Sequence, residues 1–154
     1  MKITYITTYD ANELSNWSGL GYYIAQSLLK QENELEFLGK LERKISPALF
    51  LKAIYYRKIV QQGFPLDRSP HVIKAYARQI ARRLNYHTDL LFSPGSIPIA
   101  LLETKKPKVF YTDATFAGML GFYAAYSNLS KEAAALLNLQ TISIASPRKK
   151  ESPK

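Results

Sequence analysis

The chain has 154 residues, 47% of them apolar, with 21 Lys or Arg, 12 Asp or Glu and no Cys, giving a formal charge of +9. That length suits one domain with a single core, since a chain near 150 residues buries roughly 70% of its unfolded surface. The absence of cysteine excludes a disulfide framework, a thiolate metal site and a cysteine nucleophile, so a reducing, cytoplasmic setting is expected.

The opening Met1-Lys2-Ile3-Thr4-Tyr5, with Asp10 and Glu13 close behind, lacks the long apolar run of a signal peptide, and secretion by that route is not expected. Residues 2 to 8 are β-branched and aromatic with partial alternation, which favours a strand. A loop from Tyr9 to Ser18 leads to Gly19-Leu20-Gly21. The apolar positions 20, 24 and 28, with 23 and 27, then recur at helical spacing. Leu35 to Gly39 reads as a second strand, so the chain opens with a βαβ unit, the signature of a parallel sheet flanked by helices.

Ser46-Pro47 and Ser69-Pro70 each put a capping hydroxyl before a proline at the first helical position. They predict amphipathic, basic helices over 47–62 and 70–85. In the second, Val72, Ile73, Tyr76, Ala77, Ile80 and Leu84 face the core, and Lys74, Arg78 and Arg82 align on another face. Asp89 to Ser93 is a buried parallel strand feeding the loop Pro94-Gly95-Ser96. Ile97 to Thr104 is expected as a short helix, Lys108 to Thr112 as the next strand, and residues 130 to 139 as a last helix. The uncharged run from Ala114 to Ser130 falls short of the roughly 18 apolar residues of a spanning helix, and no transmembrane segment is expected. The tail from Ser146 is polar and basic, with the composition of a disordered segment.

The positive charge is regional. Residues 40 to 83 hold 11 Lys or Arg and two acids, whereas basic and acidic groups balance in the remainder. This block, residues 40–83, reads either as solvated helix faces or as a surface that docks on an anionic membrane or a lipid-linked acceptor, which would make the protein membrane-peripheral.

In an open parallel sheet the ligand lies beyond the carboxyl ends of the strands, where loops and helix N-termini converge. Three strand ends supply candidate binding residues: Ser18, Gly19 and Gly21; Gly95 and Ser96; and Thr115, beside the carboxylate of Asp113. The first glycines either admit a phosphate or sugar to the backbone or simply make a tight turn. Asp113 follows an apolar strand, and is either a partly desolvated catalytic carboxylate or the cap of the next helix. His71 and His87 are read as surface or capping residues, and the pairs Tyr22-Tyr23 and Tyr55-Tyr56 as packing at the core's edge. Gly19-x-Gly21 is followed by Ile24 where a dinucleotide fingerprint needs a third glycine, and the second strand ends in Gly39-Lys40 rather than an acid. A nicotinamide or flavin cofactor is therefore not expected, and no zinc, phosphate-loop or nucleophile-elbow motif is present.

Taken in order, the opening strand, Trp17-Ser18-Gly19 entering Gly21 to Leu28, Leu91 to Ala100, and Lys106 to Phe116 resemble the N-terminal half of GT-B glycosyltransferases of family 4, the glycosyltransferase group 1 superfamily, over about residues 1 to 137. The resemblance implies a Rossmann-like α/β domain over 1–139, with an open, mostly parallel sheet and helices on both faces, and an atypical tail over 140–154. It implies the acceptor-side half of a retaining enzyme that moves a sugar from a nucleotide-sugar to a carbohydrate or lipid-linked acceptor, with no essential metal. Ser18, Gly19 and Gly21 match the loop that approaches the donor diphosphate and the acceptor. Asp113 stands where the family often has a histidine near the reacting sugar, and Glu32-Asn33-Glu34 replaces the common Gly-His. The donor half with its glutamate pair is not represented, and after Leu137 the text departs from the family. A truncated or frameshifted reading frame, inactive alone or completed by a separate donor-domain chain, is the resulting expectation. The alternative is a basic nucleic-acid-binding module with Tyr55, Tyr56 and Tyr76 interleaved among the charges, although no known nucleic-acid motif accompanies them.

Overall fold

The computed structural model describes residues 1–112, 116–119 and 122–129; the helix expected at 130–139 and the tail lie outside the described residues. Strand β1, Lys2–Ile6, is buried at Ile3, Thr4, Tyr5 and Ile6 in succession, as a strand must be when both sheet faces are covered. It pairs in parallel with β2, Glu34–Leu38, on one side and with β3, Leu90–Ser93, on the other. Strand β4, Lys108–Phe110, adds in parallel to β3, so the order is β2-β1-β3-β4.

Alternation along the strands sends their side chains to two separate cores. Tyr5 packs with Ala11 and Ala25, and with Leu28, Leu35 and Phe92, under helix α1, Leu20–Leu29. Its ring stacks on Phe92 at 5.5 Å and meets Phe37 edge-on at 5.7 Å. Ile6, Leu38 and Leu91 point the other way and pack with Val72, Tyr76, Ala77 and Ile80 of helix α3, Pro70–Arg83, closed by Ile99 and Leu102. The result is a three-layer α/β body with an all-parallel four-stranded sheet, compatible with a Rossmann-like fold. Chain direction reverses between β1 and β3: α1 carries it outward to β2 on one face, and α3 brings it back past β1 on the other. That is the topological switch point.

Local chemistry explains where elements begin and end. Ser69 Oγ accepts from Val72 N at 3.4 Å before Pro70, and Arg82 and Arg83 occupy the last turn of α3, where the helix dipole favours cations. Strand β1 stops at Ile6 rather than residue 8 because Thr7 Oγ1 donates to the Tyr9 carbonyl at 2.6 Å and turns the chain. Residues 97 to 101 are turns rather than the expected helix. Pro98 has no N–H to give, Ile97 and Ile99 are β-branched, and Leu102 N donates to Ile99 O three residues back, at 3.2 Å.

Helix α2, Pro47–Tyr55, is capped by Ser46 Oγ accepting from Leu49 N at 3.3 Å. It ends seven residues before the expected Gln62, giving way to a π-helical turn, Tyr56–Val60, closed by left-handed Gln61. The β-branched pair Ile59-Val60, followed by Gly63 and Pro65, disfavours further α-helix. None of its residues is fully buried; its contact with the core is the half-buried Leu49. Short helices α4, Phe116–Met119, and α5, Ala124–Ser127, lead to Asn128, whose carbonyl accepts from Gly63 N at 2.7 Å. Among the described residues no helix is long and apolar enough to cross a membrane.

Candidate functional site

The parallel register delivers the carboxyl ends of all four strands to one edge. After β1 the chain runs through Thr7 to Asp10 and returns to this edge as a left-handed turn at Trp17 (φ 47°), Ser18 (φ 53°) and Gly19 (φ 78°), which starts α1. Two consecutive non-glycine residues in the left-handed region cost about 1–2 kcal/mol each. Gly19 accepts that conformation without a side-chain penalty and is buried. Gly21 is glycine for a different reason: a Cβ there would collide with the Tyr9 hydroxyl. The Gly21 carbonyl accepts from the buried Tyr5 hydroxyl at 2.6 Å, which pins the start of α1 to the middle of the sheet. No side chain caps this helix and its first turn holds no acid, so apart from the Leu20 N–H, which donates to the Trp17 carbonyl, the positive end of the dipole meets no opposing side-chain charge.

The β1 and β2 ends are stitched together. Lys40 N donates to Tyr9 O at 3.1 Å, Leu41 N to Thr8 O at 3.2 Å, and Lys40 Nζ pairs with Asp10 Oδ2 at 2.9 Å. The Asn12 amide, donating to Asp10 at 3.0 Å, and then Lys40 hold the Asp10 carboxyl below the usual carboxylate range. The same pairing raises Lys40. This acid is engaged with its neighbours rather than set apart as a general base.

Two hydroxyls at this edge are not engaged. Ser93, the last residue of β3, is fully buried, and its Oγ has no hydrogen-bond partner among the described residues; the Tyr9 Oη is likewise buried and unpartnered beside Gly21. Burial pushes the Tyr9 phenol above its ordinary pKa, so it stays protonated and able to donate. An unpaired buried hydroxyl costs about 1–3 kcal/mol, so each of these two would gain from a bound polar group, as would the buried, unpartnered Oε2 of Glu36 in β2. Sequence reading passed over both hydroxyls. The available signal was their position, at and just past the strand ends nearest the switch point.

Beside Ser93, Gly95 and Ser96 are half-buried. Gly95 has neither a positive φ nor any atom within 4 Å of where its Cβ would be. The other candidates fall differently. Ser18 is exposed on the left-handed turn. Tyr111 N donates to Ser93 O at 3.0 Å, so the chain after β4 reaches the same edge, but Asp113 and Thr115 lie outside the described residues. Ser18 to Gly21 and Gly95 to Ser96 follow the carboxyl ends of the adjacent parallel strands β1 and β3. His71 and His87 are both exposed, as expected, while Tyr76 is buried in the α3 core and presents no face for stacking bases.

The rim offers uncapped backbone N–H groups, two unpartnered hydroxyls and an open glycine, a set suited to a polar ligand with anionic groups. Comparison of the chain with protein-family models, curated proteins and solved structures finds no match.

Proposed function

We propose that this chain is the acceptor-side domain of a retaining, GT-B-type glycosyltransferase that takes a nucleotide-sugar and a carbohydrate or lipid-linked acceptor at the carboxyl edge of its sheet. The observation that carries the reading is the pair at the end of β3. Ser93 Oγ is buried without a partner, and two residues on Gly95 opens onto free space although nothing in its backbone demands glycine. A side chain there would occupy the room a ligand needs, and the uncapped start of α1 supports a negatively charged group nearby.

In this reading Ser18, Gly19 and Gly21 approach the diphosphate, Gly95, Ser96 and Thr115 bind the sugar side, and Asp113 is the carboxylate near the reacting centre. In the transfer the acceptor oxygen bonds to the anomeric carbon, the bond from that carbon to the diphosphate breaks with its electron pair going to the departing diphosphate oxygen, and the acceptor proton passes to that oxygen. A second, donor-binding domain or chain is required for near-attack geometry, so residues 1–154 alone bind weakly and do not turn over. A cytoplasmic site of action agrees with the cysteine-free composition. The test is a heteronuclear amide titration with UDP-glucose, UDP-N-acetylglucosamine and GDP-mannose in turn. One of them should shift the amides of Ser18 to Gly21 and Gly95 to Ser96 at about millimolar concentration. Shifts elsewhere, or none from any donor, contradict the reading.

A further inference from the structure

Helix α2 carries apolar side chains on the side facing away from the body. Residues three and four apart share a helix face, so Phe50, Leu51, Ile54 and Tyr55 form one stripe and Leu49, Ala53 and Tyr56 the opposite one. The second stripe is half-buried, with Leu49 packed on the α3 core. The first is open to solvent, at 53% for Phe50, 65% for Leu51, 42% for Ile54 and 54% for Tyr55, and the π-helical turn adds Ile59 at 70%. Next to it, Phe50, Ile54 and Arg57 line an open cleft of about 510 Å³ floored by Phe64 and Leu66. A contiguous apolar patch of this kind is uncommon on a surface that faces only water.

The charge along residues 43–66 is of one sign, with Glu42 and Asp67 just outside that segment. Between Arg43 and Leu66 there are five Lys or Arg and no acid. Neither Arg57 nor Lys58, both exposed, belongs to either of the two ion pairs found among the described residues. A second copy docked on this face would bring two such clusters together and be repelled. A planar anionic surface with an apolar interior meets both requirements, because it takes the stripe below and the cations at the headgroups.

We infer that α2 and the turn after it, residues 47–60, form an interfacial element that lies on an anionic lipid bilayer. Phe50, Leu51, Ile54, Tyr55 and Ile59 enter the acyl boundary, and Arg57 and Lys58 sit among the lipid phosphates. This surface is separate from the strand-end rim, and it stands whether or not the sugar-transfer reading holds.

The test is flotation of the full chain with phosphatidylcholine vesicles, with and without about 30% phosphatidylglycerol, at low and high salt. The inference predicts at least about tenfold stronger partitioning to the anionic vesicles, weakened by salt. Leu51→Glu should lose it at an unchanged melting temperature. Arg57→Glu/Lys58→Glu, which alters only exposed side chains, should abolish the preference for anionic lipid. Equal binding to both vesicle types, no binding, or full binding by either variant overturns the inference. So does a concentration-dependent dimer in sedimentation velocity that Leu51→Glu dissolves, which assigns the face to a second copy. Binding that requires an acidic protein partner and ignores vesicles overturns it equally.

Discussion

The Tyr5 hydroxyl, buried in the central strand, donates to the Gly21 carbonyl at 2.6 Å and so fixes where α1 begins relative to the sheet edge. The bond joins a residue chosen for the core to one at the rim, and makes the position of the glycine turn a consequence of core packing. Tyr5→Phe removes the donor and leaves the carbonyl short of a partner. Urea unfolding should show a loss of about 1–2 kcal/mol.

The same residue controls alkaline stability. Burial, followed by the proximity of Tyr9, raises the Tyr5 phenol far above its ordinary value. Its contribution is complete below the unfolded pKa near 10 and is lost as pH rises beyond it, because the unfolded chain ionises first. The urea midpoint of the native chain should fall above about pH 10, and Tyr5→Phe should flatten that fall. Tyr9 and Tyr76, also raised by burial, keep a smaller slope in the variant.

At the acid end the sign is opposite. Asp10 is held below its ordinary value by the Asn12 amide and then by Lys40, so its contribution is present above the unfolded pKa and disappears as pH falls through the folded one. Asp10→Asn should remove that part of the acid limb and leave stability at pH 7 changed only slightly, since the pair is solvent-screened. Midpoints measured across acid pH for both proteins check this.

Gly21→Ala sets two effects against each other. Alanine gains about 0.5–1 kcal/mol of helix propensity, but the new methyl meets the Tyr9 hydroxyl, and overpacking costs about 1–3 kcal/mol. A net loss near 1 kcal/mol is expected. Because Tyr9 Cζ would still lie 3.1 Å from the methyl, Tyr9→Phe should rescue only part of it, seen as a positive coupling in a double-mutant cycle.

Much of this fold is legible in the text because its signals are local. The β-branched and aromatic run over residues 2 to 8 favours a strand, Ser69-Pro70 writes the start of α3, and the 72, 73, 76, 77, 80 periodicity names its buried face. The basic row Lys74, Arg78 and Arg82 is exposed as that periodicity requires. Helix α2 misleads because its apolar residues satisfy a helical period on both sides, and periodicity cannot tell which side meets the core. The site is legible only as far as its backbone. Glycines at strand ends mark the rim, but that Ser93 lacks a partner while Asp10 has two is decided by contacts between segments distant in sequence.

Ser93→Ala separates stability from binding. Removing a buried hydroxyl that has no partner should leave the melting temperature unchanged or slightly higher. If a ligand pairs with that hydroxyl, affinity for the donor that shifts the rim amides should fall about tenfold. Calorimetric melting and equilibrium dialysis on one preparation give both values.

The most direct measurement is the nucleotide-sugar affinity of Gly95→Phe. Because no atom lies within 4 Å of the position a Cβ would take, the ring should be accommodated without unfolding the domain and should stand where the ligand is proposed to lie. An unchanged melting temperature with binding reduced more than about tenfold is the predicted result. Undiminished binding in the folded variant would contradict the assignment of the ligand to this edge of the sheet.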